Sequence, residues 1–258
     1  MEITESVSKN DHTLYGLIGY PLGHSFSAMF FKEKFARLGL SNHDYRLFEL
    51  QDISAIRNFS IQYKSLKGFN VTIPHKQSIL DYLDVISPDA MNIGAVNCVK
   101  IKDGIWTGYN TDALGFQIAL SMLLQENCIT NPKQAIILGN GGSSKAVQWV
   151  LNQENIPFVV ASRRNTSDTI HYDEITPEFF EKIGIIINTT PLGMYPATGT
   201  APELPYHALN NKHLLIDLVY NPEKTLFLTR GSAMGCKIMN GKKMLEEQAE
   251  ASWNIWNT

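Results

Sequence analysis

The stretch Ala135-Ile136-Ile137-Leu138 leads straight into Gly139-Asn140-Gly141-Gly142-Ser143-Ser144, and a helical pattern follows. This junction limits the fold more than any other segment. An apolar run closed by glycines reads as a buried strand, a tight turn and a helix N-terminus in succession. Residues 158–161, 185–188 and 214–218 repeat the near-continuous apolar character, and with 134–138 they give four strands. Strands apolar on both sides belong in a parallel sheet covered by helices on both faces.

The first half alternates in the same way. Residues 14–18, 45–50, 69–73 and 95–101 read as strands, and 27–38 reads as a helix stopped by Gly39. Strands separated by helices imply a parallel or mixed sheet. Residues 112–124 form a helix leading into the second unit, and 242–256 carries Leu245, Gln248, Ala249, Trp253 and Trp256 at helical spacing. The expected fold is α/β: an N-terminal α/β domain with a mixed sheet and a Rossmann-type domain, with the C-terminal helix returning to the first. The expected boundaries are 1–111, completed by 237–258, and 112–236.

Composition narrows the partners. The 258 residues suffice for two modest domains, and a net charge of −3 gives no basic face for nucleic acid or an anionic membrane. A small molecule is the expected partner of a monomer or homodimer. Residues 1–13 are polar without an apolar core, so no secretory signal is read, and no run approaches the ~20 apolar residues of a membrane helix. A cytoplasmic location is expected. Cys98, Cys128 and Cys236 are isolated, and the seven histidines lack ligand spacing, so neither disulfides nor a metal site is expected.

The glycine turn is where a dinucleotide pyrophosphate would lie, close to backbone and to the oriented N–H groups of a helix N-terminus. Gly139, Asn140, Gly141, Gly142 and Ser143 are the candidate contacts, with Ser144 standing where a third glycine is usual. The next strand ends in Ser162-Arg163-Arg164, where an NAD site carries an acidic residue on the ribose. Guanidinium there pairs with a 2′-phosphate, so NADP is the expected cofactor. The loop 188–194, with Thr189, Thr190 and Pro191, follows a third strand at the same sheet edge and is expected to meet the cofactor through backbone atoms.

In the first half, Ser25 and Ser27 precede a helix, where a serine is either an N-cap or a grip on a carboxylate. Asn70 and Thr72 alternate with Val71 and Ile73, placing both polar side chains on one face of a strand. Lys76 follows Pro74 by two residues. Asn97 sits among apolar neighbours, where its amide serves either a structural hydrogen bond or a substrate hydroxyl.

In order along the chain stand Gly19-Tyr20-Pro21-Leu22-Gly23-His24-Ser25-Phe26-Ser27, Asn70-Val71-Thr72-Ile73-Pro74-His75-Lys76, Gly94-Ala95-Val96-Asn97 and Asn110-Thr111-Asp112. The glycine turn, the loop 188–194, Asp217-Leu218-Val219-Tyr220-Asn221-Pro222, and Gly241 with Met244, Leu245 and Gln248 follow. Taken together they resemble the shikimate dehydrogenase family over nearly the whole chain from Tyr15. The resemblance implies NADPH-dependent reversible reduction of 3-dehydroshikimate to shikimate, on the route to chorismate and aromatic amino acids. It implies that Ser25 and Ser27 hold the substrate carboxylate and that Asn70, Thr72, Asn97, Asp112 and Gln248 hold ring hydroxyls. Lys76 would stand at the reacting oxygen with Tyr220 nearby, and Lys76 and Asp112 would be the catalytic pair. Leu218, Gly241 and Met244 would lie on the cofactor side, the last two bordering the nicotinamide.

Hydride delivery to a ketone builds negative charge on oxygen, which a positioned lysine ammonium relieves. Lys76 is either that proton donor or mainly a binding residue. Three rival readings remain: a quinate-active relative, a catalytically silent metabolite sensor on the same fold, and an enzyme like methylene-tetrahydrofolate dehydrogenase. Lys76 with Asp112 argues against the sensor, and the serine pair with Asn70 and Thr72 points to a small polar acid. The family pattern after the second nucleotide strand is close to Asn-Arg-Thr, whereas Ser162-Arg163-Arg164 stands here. Residues 165–176 lack an apolar helical stripe, so a crossover helix is expected to be short or missing.

Overall fold

The structure is a computed structural model that describes residues 12–23, 26–164 and 166–258. Ser25, and the expectation drawn from the first residues up to Asp11, lie outside the described part. In chain order come β1 (Thr13–Gly19), α1 (Phe26–Arg37), β2 (His43–Glu49), α2 (Phe59–Gln62), β3 (Leu66–Val71), β4 (Val85–Ile86), α3 (Pro88–Ile93), β5 (Cys98–Lys102) and β6 (Ile105–Tyr109). Then follow α4 (Thr111–Glu126), β7 (Gln134–Leu138), α5 (Gly142–Gln153), β8 (Phe158–Ser162), β9 (Ile170–His171), β10 (Ile183–Asn188), β11 (Leu214–Asp217), α6 (Leu226–Ala233), β12 (Lys237–Met239) and α7 (Lys242–Trp256).

Two compact units result. The first takes the described residues up to Met91, then Val96–Tyr109 and Ser252–Thr258; the second takes Asn92–Ala95 and Asn110–Ala251. In the first unit the strand order is β2-β1-β3-β5-β6-β4, with β5 antiparallel to both β3 and β6 and the other pairs parallel. The core gathers Leu14, Ile18, Phe48, Phe69, Val99 and Trp106. The last turns of the chain are fastened to this sheet. Trp256 stacks on Tyr15 with ring centroids 4.6 Å apart and donates its indole N–H to the Val99 carbonyl at 3.0 Å. Gly68 leaves the space that the Trp256 indole fills.

The second unit holds an all-parallel sheet in the order β12-β11-β10-β7-β8-β9. Counted from β7, this is the 3-2-1-4-5-6 order of doubly wound dinucleotide-binding sheets. Alternate residues of each central strand serve opposite faces. Ala135, Ile137, Ile185, Ile187, Leu214 and Ile216 pack against α4, α5 and α7, while Ile136, Leu138, Ile186 and Leu215 pack with Phe227 and Leu228 of α6. That two-sided burial is why these strands read as unbroken apolar runs.

Several expected boundaries move. The strand expected at 69–73 ends at Val71, because Thr72 turns the chain into a bend and Pro74 has no N–H for a ladder. The strand expected at 95–101 starts at Cys98, since Ala95 accepts from the Asn110 side chain instead of joining the sheet. β6 follows β5 through a turn in which Asp103 and Gly104 both adopt positive φ. β12 pairs with β11, so residues 237–239 complete the second sheet, and only Ser252–Thr258 return to the first unit, not the whole of 237–258. The missing crossover is as read: β8 passes to β9, and 3-10 turns at Tyr172–Glu174 and Pro177–Glu181 lead into β10 without an α-helix.

Candidate active site

In the first unit, residues 72–77 form a bend fastened to its surroundings by backbone bonds. Thr72 N–H donates to Ile18 O at 2.8 Å, His75 N–H to Thr72 O at 2.9 Å, and Val96 N–H to Lys76 O at 2.7 Å. His75 is buried and its Nε2 meets the Leu50 carbonyl. Lys76 thus extends, half-buried, from a segment whose backbone is held on both sides. Thr72 lies just beyond β3, so the expected strand alternation with Asn70 does not place it.

Asn70 is committed to the fold. Its Nδ2 donates to the Asn97 carbonyl at 3.2 Å and to Ser252 Oγ at 2.9 Å, and its Oδ1 accepts from the Tyr45 hydroxyl at 2.9 Å. With both amide N–H groups engaged, one acceptor lone pair on Oδ1 is left for any ligand. Ser27, buried on α1, is within hydrogen-bonding reach of the Tyr45 phenol. Burial pushes that phenol well above its ordinary value, against the opposing Ser27 bond. Asn97 is also buried, and its carbonyl accepts from Val71 N–H at 2.9 Å. Tyr45 therefore brings Ser27 and Asn70 together, and Asn97 joins Asn70 through its backbone carbonyl. Tyr45 and Ser252 were missed by sequence reasoning; Ser252 is 182 positions from Asn70, and no local pattern marks such a pair.

In the second unit, Asn110 caps α4, its Oδ1 accepting from Ala113 N–H at 3.1 Å while its amide donates to Ala95 O at 2.9 Å. This sets Asp112 in the first turn of α4, where the helix dipole favours a carboxylate. A Cβ on Gly115 would come within 2.5 Å of Met244 O, so only glycine allows α4 and α7 to lie this close. The close packing brings Thr111 Oγ1 to Gln248 Oε1 at 3.4 Å. Asp112 and Gln248, both buried, are thus held by one helix pair.

The candidate cofactor residues collect on the carboxyl edge of the second sheet, at the point where strand order reverses between β7 and β10. Gly139 has φ +103°, and a Cβ there would come within 2.9 Å of Thr189 and Thr190 side-chain atoms. Thr189 Oγ1 donates to Leu138 O at 2.8 Å, tying the two strand ends together. Gly141 stands at the N-cap of α5 with no side-chain cap and with open space where a Cβ would be. A helix N-terminus left in this state suits an anion. Asn140 and Ser144 both accept from Gln148 Nε2, at 3.4 and 3.0 Å, and Ser144 is fully buried in the place of a third glycine.

Arg163 and Arg164 are exposed after β8, and Arg164 N–H donates to Ser162 Oγ at 3.3 Å. Tyr172 lies in the field of Arg163, though burial dominates and pushes its phenol to about 12. Pro191 is exposed, while Leu218 and Tyr220 are half-buried after β11. Gly241 lies so close to the Leu218 carbonyl that no side chain fits, and its own carbonyl accepts from Leu245 N–H at 3.0 Å as α7 begins. Buried Met244 precedes Leu245 in the same turn of helix.

Together these features define a class: an α/β protein of two units, one of them a Rossmann-type unit with a glycine turn and an arginine pair fit for a phosphorylated dinucleotide. The family model described as the shikimate dehydrogenase substrate binding domain matches residues 17–99. The chain is 37% identical to shikimate dehydrogenase (NADP(+)) of Methanococcus maripaludis strain C6, covering 94% of this chain and 91% of that protein. Shikimate dehydrogenase 1 of Peptoclostridium difficile superposes with a TM-score of 0.81 at 37% identity, over 95% of this chain and 91% of that one. The Thermus thermophilus shikimate 5-dehydrogenase, solved in complex with NADP(H) and shikimate, superposes with a TM-score of 0.81 at 27% identity, over 95% and 93%. The chain belongs to the shikimate dehydrogenase family.

Proposed function

We propose that the protein reduces 3-dehydroshikimate to shikimate with NADPH, and runs the reverse reaction with NADP⁺, as a cytoplasmic monomer or homodimer. The observation that carries this reading is the pairing, in one chain, of the rigidly held Lys76 bend with a glycine turn followed by Arg163 and Arg164. NADPH supplies the hydride to the ketone carbon when bound. Gly139, Asn140, Gly141, Gly142 and Ser143 receive its pyrophosphate, with Ser162, Arg163 and Arg164 at the 2′-phosphate. Thr189, Thr190, Pro191, Leu218, Gly241 and Met244 complete the cofactor side.

Ser25 and Ser27 bind the substrate carboxylate, and Asn70, Thr72, Asn97, Asp112 and Gln248 bind its hydroxyls, with Tyr220 beside them. Lys76 donates a proton from its ammonium to the ketone oxygen as the C–O π bond is broken, and recovers that proton from solvent. In oxidation the neutral amine accepts the hydroxyl proton. The test is a set of parallel initial rates, shikimate or quinate with NADP⁺ or NAD⁺, followed at the reduced nicotinamide band. Turnover highest with shikimate and NADP⁺ is expected. Turnover with quinate or NAD⁺ at equal efficiency would remove the corresponding assignment, and no turnover in folded protein that binds shikimate would favour a sensor.

A further inference from the structure

Asp217 ends β11 with no solvent exposure, inside a motif in which Leu218 and Tyr220 have roles and it has none. Its Oδ1 accepts from the Asn188 side-chain amide at 2.9 Å and from Val219 N–H at 3.0 Å, and its Oδ2 accepts from the Thr225 hydroxyl. Asn188, equally buried, ends β10; its Oδ1 accepts from Thr190 N–H at 3.0 Å and from Thr190 Oγ1 at 2.6 Å. Its amide also donates to Leu192 O at 3.3 Å. Thr225 is the N-cap of α6, accepting from Leu228 N–H at 3.3 Å. The loop after β10, the loop after β11 and the start of α6 therefore meet on a single carboxylate.

These partners are neutral, and a carboxylate buried among neutral groups is costly. Apolar residues would pack two strand ends together more cheaply. What the carboxylate adds is direction, since it receives donors from Asn188, Val219 and Thr225 at fixed angles. Both loops it fixes lie at the cofactor edge: Thr190 belongs to one, and Leu218 and Tyr220 to the other. A further bond, Tyr195 N–H to Asn221 O at 3.1 Å, ties the same two loops farther out.

We propose that Asp217 is a positioning residue for the cofactor, holding the loops 188–194 and 217–225 in the one arrangement that accepts the nucleotide. The proposal rests on the cofactor placement given under Proposed function. Asp217→Asn keeps the shape and keeps an oxygen for Asn188 and Val219, but sets an N–H₂ against the Thr225 hydroxyl, which then loses its acceptor. Thr225→Val breaks the same bond from the other side, and Thr225→Ser keeps both the bond and the cap.

The experiment is calorimetric titration with NADP⁺, run well below each variant's melting temperature, with KM for NADP⁺ and kcat measured alongside. Asp217→Asn and Thr225→Val are expected to raise the NADP⁺ dissociation constant by roughly tenfold or more, and Thr225→Ser is expected to match the parent. Variants that melt earlier yet bind NADP⁺ and turn over like the parent would reduce Asp217 to a structural residue and overturn the proposal. If Asp217→Asn does not fold, the Thr225→Val and Thr225→Ser pair decides by the same criterion. A parent protein that does not bind NADP⁺ overturns the cofactor placement itself, and the proposal with it.

Discussion

Lys76 is a single side chain on a bend whose backbone is held from Ile18, Val96 and the buried His75. Its removal should therefore change chemistry without moving the scaffold. Lys76→Ala is expected to lower kcat by roughly 10² to 10⁴ with little change in KM for shikimate, as loss of a general acid does. A raised KM at unchanged kcat would make Lys76 a binding residue. Arg163→Ala should raise KM for NADPH while leaving KM for NADH unchanged; an equal rise with both would contradict the 2′-phosphate assignment. Asp217 gives a pH signature of its own. Burial, outweighing the bonds from Thr225, Val219 and Asn188, raises its carboxyl from 3.8 to about 6. A folded value above the unfolded one means that the folded state holds the proton more tightly between the two, so this group's contribution to stability falls as pH rises from about 4 to about 6. Tyr206, pushed to about 12 chiefly by burial, and the Arg230 guanidinium against its ring do not change charge in that window. Urea denaturation of the parent should therefore lose stability across that interval relative to Asp217→Asn, whereas parallel profiles would contradict the shift.

The two helix starts at the candidate site differ in what the sequence provides. α4 is closed by the Asn110 side chain, so Asn110→Ala should cost about 1 kcal/mol in unfolding free energy and loosen the turn that carries Asp112. α5 follows the N-cap Gly141 without a side-chain cap, a state of a helix N-terminus that suits an anion. Gly139→Ala is expected to be more severe for cofactor than any surface change. It places a side chain at φ +103° and against Thr189 and Thr190, so NADP⁺ affinity should fall while shikimate still binds. Wild-type NADP⁺ affinity in that variant would show that the turn is not the pyrophosphate seat. Elements buried on both faces were legible because residues 135–138 of β7, 185–187 of β10 and 214–216 of β11 are all buried apolar side chains. β9 and β12, of two and three residues at the sheet edges, carry too few side chains for a period. β3 begins earlier than read because Lys67 and Gly68 look like turn residues, while Gly68 is small to admit the Trp256 indole from the far end of the chain.

At the scale of the whole molecule, the order of the motifs made the two-unit α/β plan readable and marked the candidate residues. Lys76, Asp112, Asn97, the glycine turn and the arginine pair all stand where local chemistry marks them. What escaped is non-local: Tyr45 and Ser252 on Asn70, and Thr225 with Asn188 on Asp217, join residues whose own surroundings give no sign of the bond. Such side-chain networks depend on which strands and helices become neighbours, so only the folded chain reveals them. In the proposed function this chain moves a hydride from NADPH to a ring ketone. The most direct measurement is to incubate the protein with 3-dehydroshikimate and NADPH bearing deuterium on both C4 positions of the nicotinamide, then examine the product by mass and NMR. Shikimate carrying one deuterium, on the carbinol carbon, is the predicted result. Shikimate without deuterium at that carbon, or no shikimate from protein that binds both ligands, would contradict the proposed hydride transfer.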